Sequence, residues 1–124
     1  MDRMQVGLIV AVIAVIVVGC YSYTARVTAP LSPATDATKA RAADALAAWE
    51  GIEAADRLPV FGMGRDCAER LAILATCGGS QADALAAYQR ALDVDSRAQR
   101  LGDNYRDAAR QTVLVAEALG GVRP

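Results

Sequence analysis

The most reactive side chains in the polar part of the chain are those of Cys67 and Cys77. Their spacing limits the chemistry that they can perform. They lie ten residues apart, which is about 15 Å along a continuous helix. A disulfide requires Cα atoms within about 7 Å of each other, so we expect no bond between them. They are then either small buried core residues or partners of a bond to another chain. A metal site is not expected, because the sequence offers no matching Cys or His pair.

The other titratable residues do not indicate catalysis. Histidine is absent, which removes the commonest general base and the commonest transition-metal ligand. The carboxylates of the first predicted helix, Asp44, Glu50, Glu53 and Asp56, lack the apolar surroundings expected of an acid with a raised pKa. We therefore expect no catalytic, metal-binding or cofactor-binding residues, no cofactor and no enzymatic activity.

The charge distribution argues against a nucleic-acid partner. The chain has 13 basic and 14 acidic residues and no long block of either sign. A nucleic-acid surface would need a clustered basic face.

The N-terminal segment is the strongest signal in the sequence. No charged residue occurs between Met4 and Ala25, and residues 6–18 are almost wholly Val, Ile, Leu and Ala. Counted to Tyr21 and Tyr23, the segment approaches the roughly 20 residues of a membrane-spanning helix, and tyrosines favour the headgroup level. One interpretation is therefore a retained transmembrane anchor, formed by Val6, Leu8, Ile9, Ile13, Ile16, Val18, Tyr21 and Tyr23.

The second interpretation of this segment is a lipoprotein signal. Residues 6–18 alone match the short apolar core of a signal peptide. Val17, Val18 and Gly19 before Cys20 resemble the lipobox at which bacterial lipoproteins are cleaved and lipidated, which would make Cys20 the lipidation site. Both interpretations make the lipid bilayer a partner and place the rest of the chain outside the cytoplasm, in the periplasm of a Gram-negative cell.

The rest of the chain predicts one small helical domain. Its abundant alanine favours helices, and no segment alternates with the period of a strand. Pro30 and Pro33 predict an extended stalk, so we divide the chain into an anchor (1–25), a stalk (26–32) and a helical domain (33–124). The predicted fold class is all-α, with a single N-terminal transmembrane helix followed by a small four-helix extracytoplasmic bundle of antiparallel hairpins.

Capping patterns set the expected helix boundaries. The first helix is predicted from Ser32 and Pro33 to about Arg57, the second from Asp66 to the glycines at 78 and 79. The third and fourth are predicted to begin at Ser80 and Ser96, and the last to close at the glycines at 120 and 121.

Along the fourth predicted helix, residues that are three and four positions apart form a stripe on one side. It is either the core seam of the bundle or a surface for self-association or a partner. Its members are Ala98, Leu101, Tyr105, Ala108, Thr112, Val115 and Leu119.

Residues 58–64 are predicted as an apolar loop rich in Gly and Pro. Such a loop either packs against the bundle or is exposed and binds a partner. Val60, Phe61 and Met63 are the candidate contact residues.

Residues 65–98 resemble a tetratricopeptide repeat. The resemblance is carried by the mutual spacing of Leu71, Gly79, Ala84, Tyr88, Ala91 and Leu92. It implies an antiparallel helical hairpin in a protein-binding adaptor. An ordinary alanine-rich hairpin is the alternative.

Together these features predict a non-enzymatic, membrane-anchored helical interaction or scaffolding module, an accessory subunit of a membrane or envelope protein complex. The alternative is a lysis protein similar to phage inner-membrane spanins, which share the N-terminal anchor and the exported helical region. Pro30, Pro33 and Pro59 interrupt the long continuous helix that a spanin uses.

Overall fold

Four α-helices form the part of the chain that the computed structural model describes, residues 29–120. They are α1 (Asp36–Glu50), α2 (Pro59–Cys77), α3 (Gln81–Ala98) and α4 (Asp103–Ala118), and a short 3-10 helix, Ala54–Asp56, lies between α1 and α2. The predicted all-α bundle is confirmed for this range. The proposed anchor residues and Cys20 lie outside it. Within it, no helix combines the length and the apolar character that crossing a membrane requires.

The helices are arranged as a closed antiparallel bundle. Each packs against its neighbour in the chain, α1 packs against α4, and α2 meets α4 across the middle. Residues 78–80 and 99–102 are the short connections that make neighbouring helices antiparallel. Many core positions are alanine, including Ala45, Ala87 and Ala108. These small side chains let the helix backbones approach closely.

The bundle has two ends, each with its own hydrophobic cluster. At the first, which we call the strap end, Leu74, Val115 and Leu119 are buried beneath the α2–α3 turn. At the other, which we call the Trp49 end, Trp49 and Tyr105 are buried together with Ile52, Val60 and Ala98.

Trp49 contacts α4 at this end of the bundle through a hydrogen bond and a ring contact. It is fully buried, and its indole Nε1 donates a 2.8 Å hydrogen bond to Thr112 Oγ1. The Thr112 hydroxyl in turn donates to the carbonyl of Ala108 at 2.8 Å, and the ring of Tyr105 meets the indole edge-on at 6.1 Å. The polar atoms of this buried network are therefore satisfied, as burial requires.

A strap formed by residues 29–31 lies against the α2–α3 turn. The Leu31 N–H donates to the Gly79 carbonyl and the Gln81 N–H donates to the Ala29 carbonyl, both at 2.9 Å. Pro30 pairs with Ser80 in an isolated antiparallel bridge. The end of the predicted stalk is therefore tied to the bundle.

The predicted start of the third helix at Ser80 is confirmed. Ser80 Oγ accepts from the Asp83 N–H and Asp83 Oδ2 accepts from the Ser80 N–H, both at 3.2 Å. This reciprocal pair is a capping box. The hydrogen bonds from Ser80 hold the pKa of the Asp83 carboxyl below its ordinary value.

The first helix is shorter than predicted. It begins at Asp36 because Thr35, rather than Ser32, caps it, with Thr35 Oγ1 accepting from the Thr38 N–H at 3.2 Å. It ends at Glu50, followed by Gly51. The range predicted to continue to Arg57 instead contains the 3-10 turn.

The prediction of a loop over residues 58–64 is wrong. Helix α2 begins at Pro59, whose fixed φ suits the first helical position and whose missing N–H would be unpaired there anyway. Gly64 lies inside the helix because the Trp49 ring packs directly over it, where a Cβ atom would overlap the ring.

The prediction of a helix start at Ser96 is also wrong. Helix α3 continues through Ser96 to Ala98, which is buried in the core. The side-chain amide of Gln99 donates to Asp95 Oδ1 at 3.1 Å rather than forming a capping box with Ser96. Helix α4 begins after Gly102, and Gly120 follows its end with a positive φ of 85°.

The stripe at residues 98–119 is the core seam of the bundle. All of its members are buried except Leu101, which is half-buried. A partner surface built from this stripe is therefore excluded in the folded domain, because the other helices already cover it.

Candidate partner-binding surface

The three predicted contact residues do not form one surface. Val60 is only 6% exposed and belongs to the core, so its assignment as a contact residue is corrected. Phe61 is half-buried against the Trp49 end, and Met63 is 39% exposed. Two residues advance a helix by about 200°, so Phe61 and Met63 lie on different sides of α2.

The connection between α1 and α2 is fixed by hydrogen bonds. Tyr105 Oη accepts from the Leu58 N–H and donates to the Asp56 carbonyl, both at 2.7 Å. Arg57 Nε donates to the Ile52 carbonyl at 3.2 Å, and its guanidinium group lies 4.2 Å from the centre of the Phe61 ring. Phe61 is therefore covered from both sides and contributes to the fold of this connection.

A groove between α2 and α3 is the more extensive candidate surface. Its volume is about 530 Å³, and Leu74 lies in it beneath the more exposed Ile73. Ile73 is 53% exposed, so the groove presents an apolar side chain to solvent. The other lining residues are Gly78 and five charged residues, namely Asp66, Glu69, Arg70, Asp83 and Arg90.

The two arginines of the groove have no side-chain partner, a state that they share with Arg41, Arg100 and Arg110 within the described residues. Arg65 bridges Glu50 and Glu69, each at 3.3 Å. Within residues 29–120, by contrast, neither Arg70 nor Arg90 forms a salt bridge or a side-chain hydrogen bond. Each guanidinium carries five N–H donors in a planar fork that suits a carboxylate.

Cys67 lies in the core behind this groove. Its Sγ donates a weak hydrogen bond to the Ala87 carbonyl at 3.5 Å, and burial raises its pKa to about 11. The thiol therefore stays protonated at neutral pH, and the predicted core role is confirmed for Cys67. It is wrong for Cys77, which is exposed. The two thiols are free of each other, as the helical spacing predicted.

The groove residues were not identified from the sequence as a site. The spacing of Asp66, Arg70 and Ile73 places them on one side of α2. This spacing alone does not reveal a groove, because the position of α3 beside them depends on the tertiary structure. In the part of the chain with described structure, no group of three or more Cys, Asp or Glu side chains is placed to bind a metal ion.

The residues of the tetratricopeptide-like pattern lie in the α2–α3 hairpin. Leu71, Ala84 and Ala91 are buried, Tyr88 is half-buried, and Leu92 is 43% exposed. No family model, curated protein or solved structure matches the chain. Membership of the tetratricopeptide family therefore stays a prediction.

Proposed function

We propose that the protein is a membrane-anchored helical interaction module, an accessory subunit that binds a protein of a membrane or envelope complex through the α2–α3 groove. The observation that carries this proposal is the groove itself, in which Ile73 is exposed and which Arg70 and Arg90 border.

The composition of the groove suits a polypeptide. Arginine is among the residues enriched at protein interfaces, and an amphipathic helix binds a groove by inserting its apolar side chains. Ile73 offers the exposed apolar contact, and Arg70 and Arg90 offer donors for carboxylates of the partner. Asp66 adds an acceptor for a basic residue, so a segment of mixed charge is the best match.

The membrane location rests on the sequence of residues 1–25. Their uncharged length supports either a retained helix or a lipid anchor on Cys20, and in both cases the helical domain is extracytoplasmic. The short helices favour an adaptor over the spanin alternative. The longest helix of residues 29–120 has 19 residues, about 28 Å, whereas a spanin spans the periplasm with a long continuous helix.

Site-specific crosslinking in the native cell tests both parts of the proposal. A photo-crosslinking amino acid replaces Ile73 in the full-length chain, and membranes are washed with carbonate before irradiation. We expect the chain to stay with the membrane and to form one adduct of defined mass. Leu114 on α4 is the matched control position, because it is 48% exposed, close to the exposure of Ile73.

Charge reversal then identifies the groove. Arg70→Glu combined with Arg90→Glu should reduce the adduct from position 73, while Arg110→Glu on α4 should not. Equal adducts from positions 73 and 114, or an adduct that is insensitive to the groove arginines, would contradict the groove as the binding surface. Release of the full-length chain by carbonate would contradict the anchor.

A further inference from the structure

The strap fixes where the chain leaves the bundle toward its N-terminus. Its two backbone hydrogen bonds join Leu31 to Gly79 and Gln81 to Ala29. The half-buried Leu31 side chain also packs against the cluster of the strap end. The chain therefore leaves the domain beside the α2–α3 turn.

The linker from the strap to the predicted anchor is short. Only residues 26–28 separate Ala25, the end of the anchor, from Ala29. At a maximum of about 3.5 Å per residue, Ala29 lies within about 14 Å of Ala25 whatever conformation the linker takes. Helix α3 has 18 residues, so the two ends of the bundle are about 27 Å apart. A bundle standing with its Trp49 end on the bilayer would need a linker about twice as long.

We infer that the strap end faces the lipid headgroups and that the Trp49 end points away from the bilayer. The inference rests on the proposed function in its retained-helix form, because a lipid on Cys20 would leave residues 21–28 as a linker of up to roughly 30 Å, enough for either orientation. The α2–α3 turn suits this position. Gly78, Gly79 and Gln81 are exposed and uncharged and carry no large apolar side chain, so the turn lies against the headgroups without inserting and without requiring anionic lipid.

The orientation also defines how a partner reaches the groove. Asp83 marks the end of the groove near the bilayer, and Asp66 lies toward the far end. A segment that leaves the same membrane enters the groove beside Asp83 and follows it outward.

Fluorescence quenching in vesicles tests the orientation. The full-length protein is reconstituted into phosphatidylcholine vesicles that contain a headgroup spin label. One sample carries a fluorophore on the native Cys77 at the strap end, and the other carries it on Arg100→Cys at the Trp49 end, with Cys77→Ser. Both contain Cys20→Ala, and the buried Cys67 stays unlabelled. We expect quenching to be several-fold stronger at position 77, and unchanged when anionic lipid is added.

Vesicle flotation separates the two levels of the proposal. A protein that does not float with the vesicles overturns the membrane anchor, and the orientation with it. A protein that floats but is quenched equally at both positions, or more strongly at position 100, overturns the orientation alone.

A strap variant provides an independent check. Leu31→Pro removes the N–H that donates to Gly79 and should reduce the difference between the two labels. Ser32→Pro is its control, because the Ser32 N–H makes no hydrogen bond within residues 29–120. If Leu31→Pro and Ser32→Pro give the same quenching ratio as the parent, the strap does not orient the domain and the inference is overturned.

Discussion

Gly62 and Gly64 lie two residues apart in α2, and replacing each with alanine should change stability in opposite directions. Nothing lies within 4 Å of the position that a Cβ atom would take at Gly62. Gly62→Ala should therefore gain the helix propensity of alanine, about 0.5–1 kcal/mol. At Gly64 the added methyl group would overlap the six-membered ring of Trp49.

The size of the Gly64→Ala effect follows from how firmly Trp49 is held. Its indole N–H is bonded to Thr112 and its ring edge contacts Tyr105, so the ring cannot turn away without breaking a buried hydrogen bond. Overpacking a core costs about 1–3 kcal/mol, and the propensity gain of about 1 kcal/mol offsets part of it. Because the added Cβ would overlap three atoms of the Trp49 ring, we take the upper end of this range. The net loss is then about 2 kcal/mol, which places the two variants about 3 kcal/mol apart.

Chemical denaturation of the full-length protein in detergent measures both values. The chain has one tryptophan, so Trp49 fluorescence reports the environment of the packing site, and far-ultraviolet circular dichroism reports the helices. If Gly64→Ala stabilised the protein as much as Gly62→Ala, the packing of Trp49 on Gly64 would be refuted. If Gly62→Ala destabilised it, the first turn of α2 would not be helical.

Three further predictions concern Thr112 and the cysteines of the helical domain. Thr112→Val keeps the shape of the side chain but leaves the Trp49 N–H unpaired, so it should lower the free energy of unfolding by about 1–3 kcal/mol in chemical denaturation. Thr112→Ser keeps the hydroxyl and should lower it less. The reverse order would contradict the hydrogen bond. Alkylation with a maleimide should modify Cys77 in the folded protein and Cys67 only after unfolding. Because the folded pKa of Cys67 is raised from 9.0 to about 11, the stability from its buried neutral thiol is present below pH 9 and is lost as the pH rises toward 11, an effect that Cys67→Ala should remove.

The parts of the fold that local chemistry controls could be predicted from the sequence. Ser80 and Asp83 are three residues apart and cap α3 through their own side chains, so the start of this helix can be recognised from neighbouring residues. The stripe from Ala98 to Leu119 follows helical periodicity, and its burial follows from amphipathicity alone.

The parts that failed depend on contacts between distant segments. Pro59, Gly62 and Gly64 are residues that usually interrupt helices. They are helical here because Pro59 stands at the first position and because Trp49, on another helix, fills the space that Gly64 leaves. Likewise, the sequence does not determine the relative position of α2 and α3, so the groove bordered by Arg70 and Arg90 could be identified only from the structure.

The hydrogen bond between Trp49 and Thr112 also has a consequence for the order of folding. It joins side chains that are 63 residues apart, and Tyr105 closes the α1–α2 connection from the same late helix. Contacts of large sequence separation form slowly, and these cannot form before α4 has been synthesised. The Trp49 end of the bundle therefore cannot be completed until α4 is available, because Trp49, Leu58 and Asp56 all find their side-chain partners on that helix.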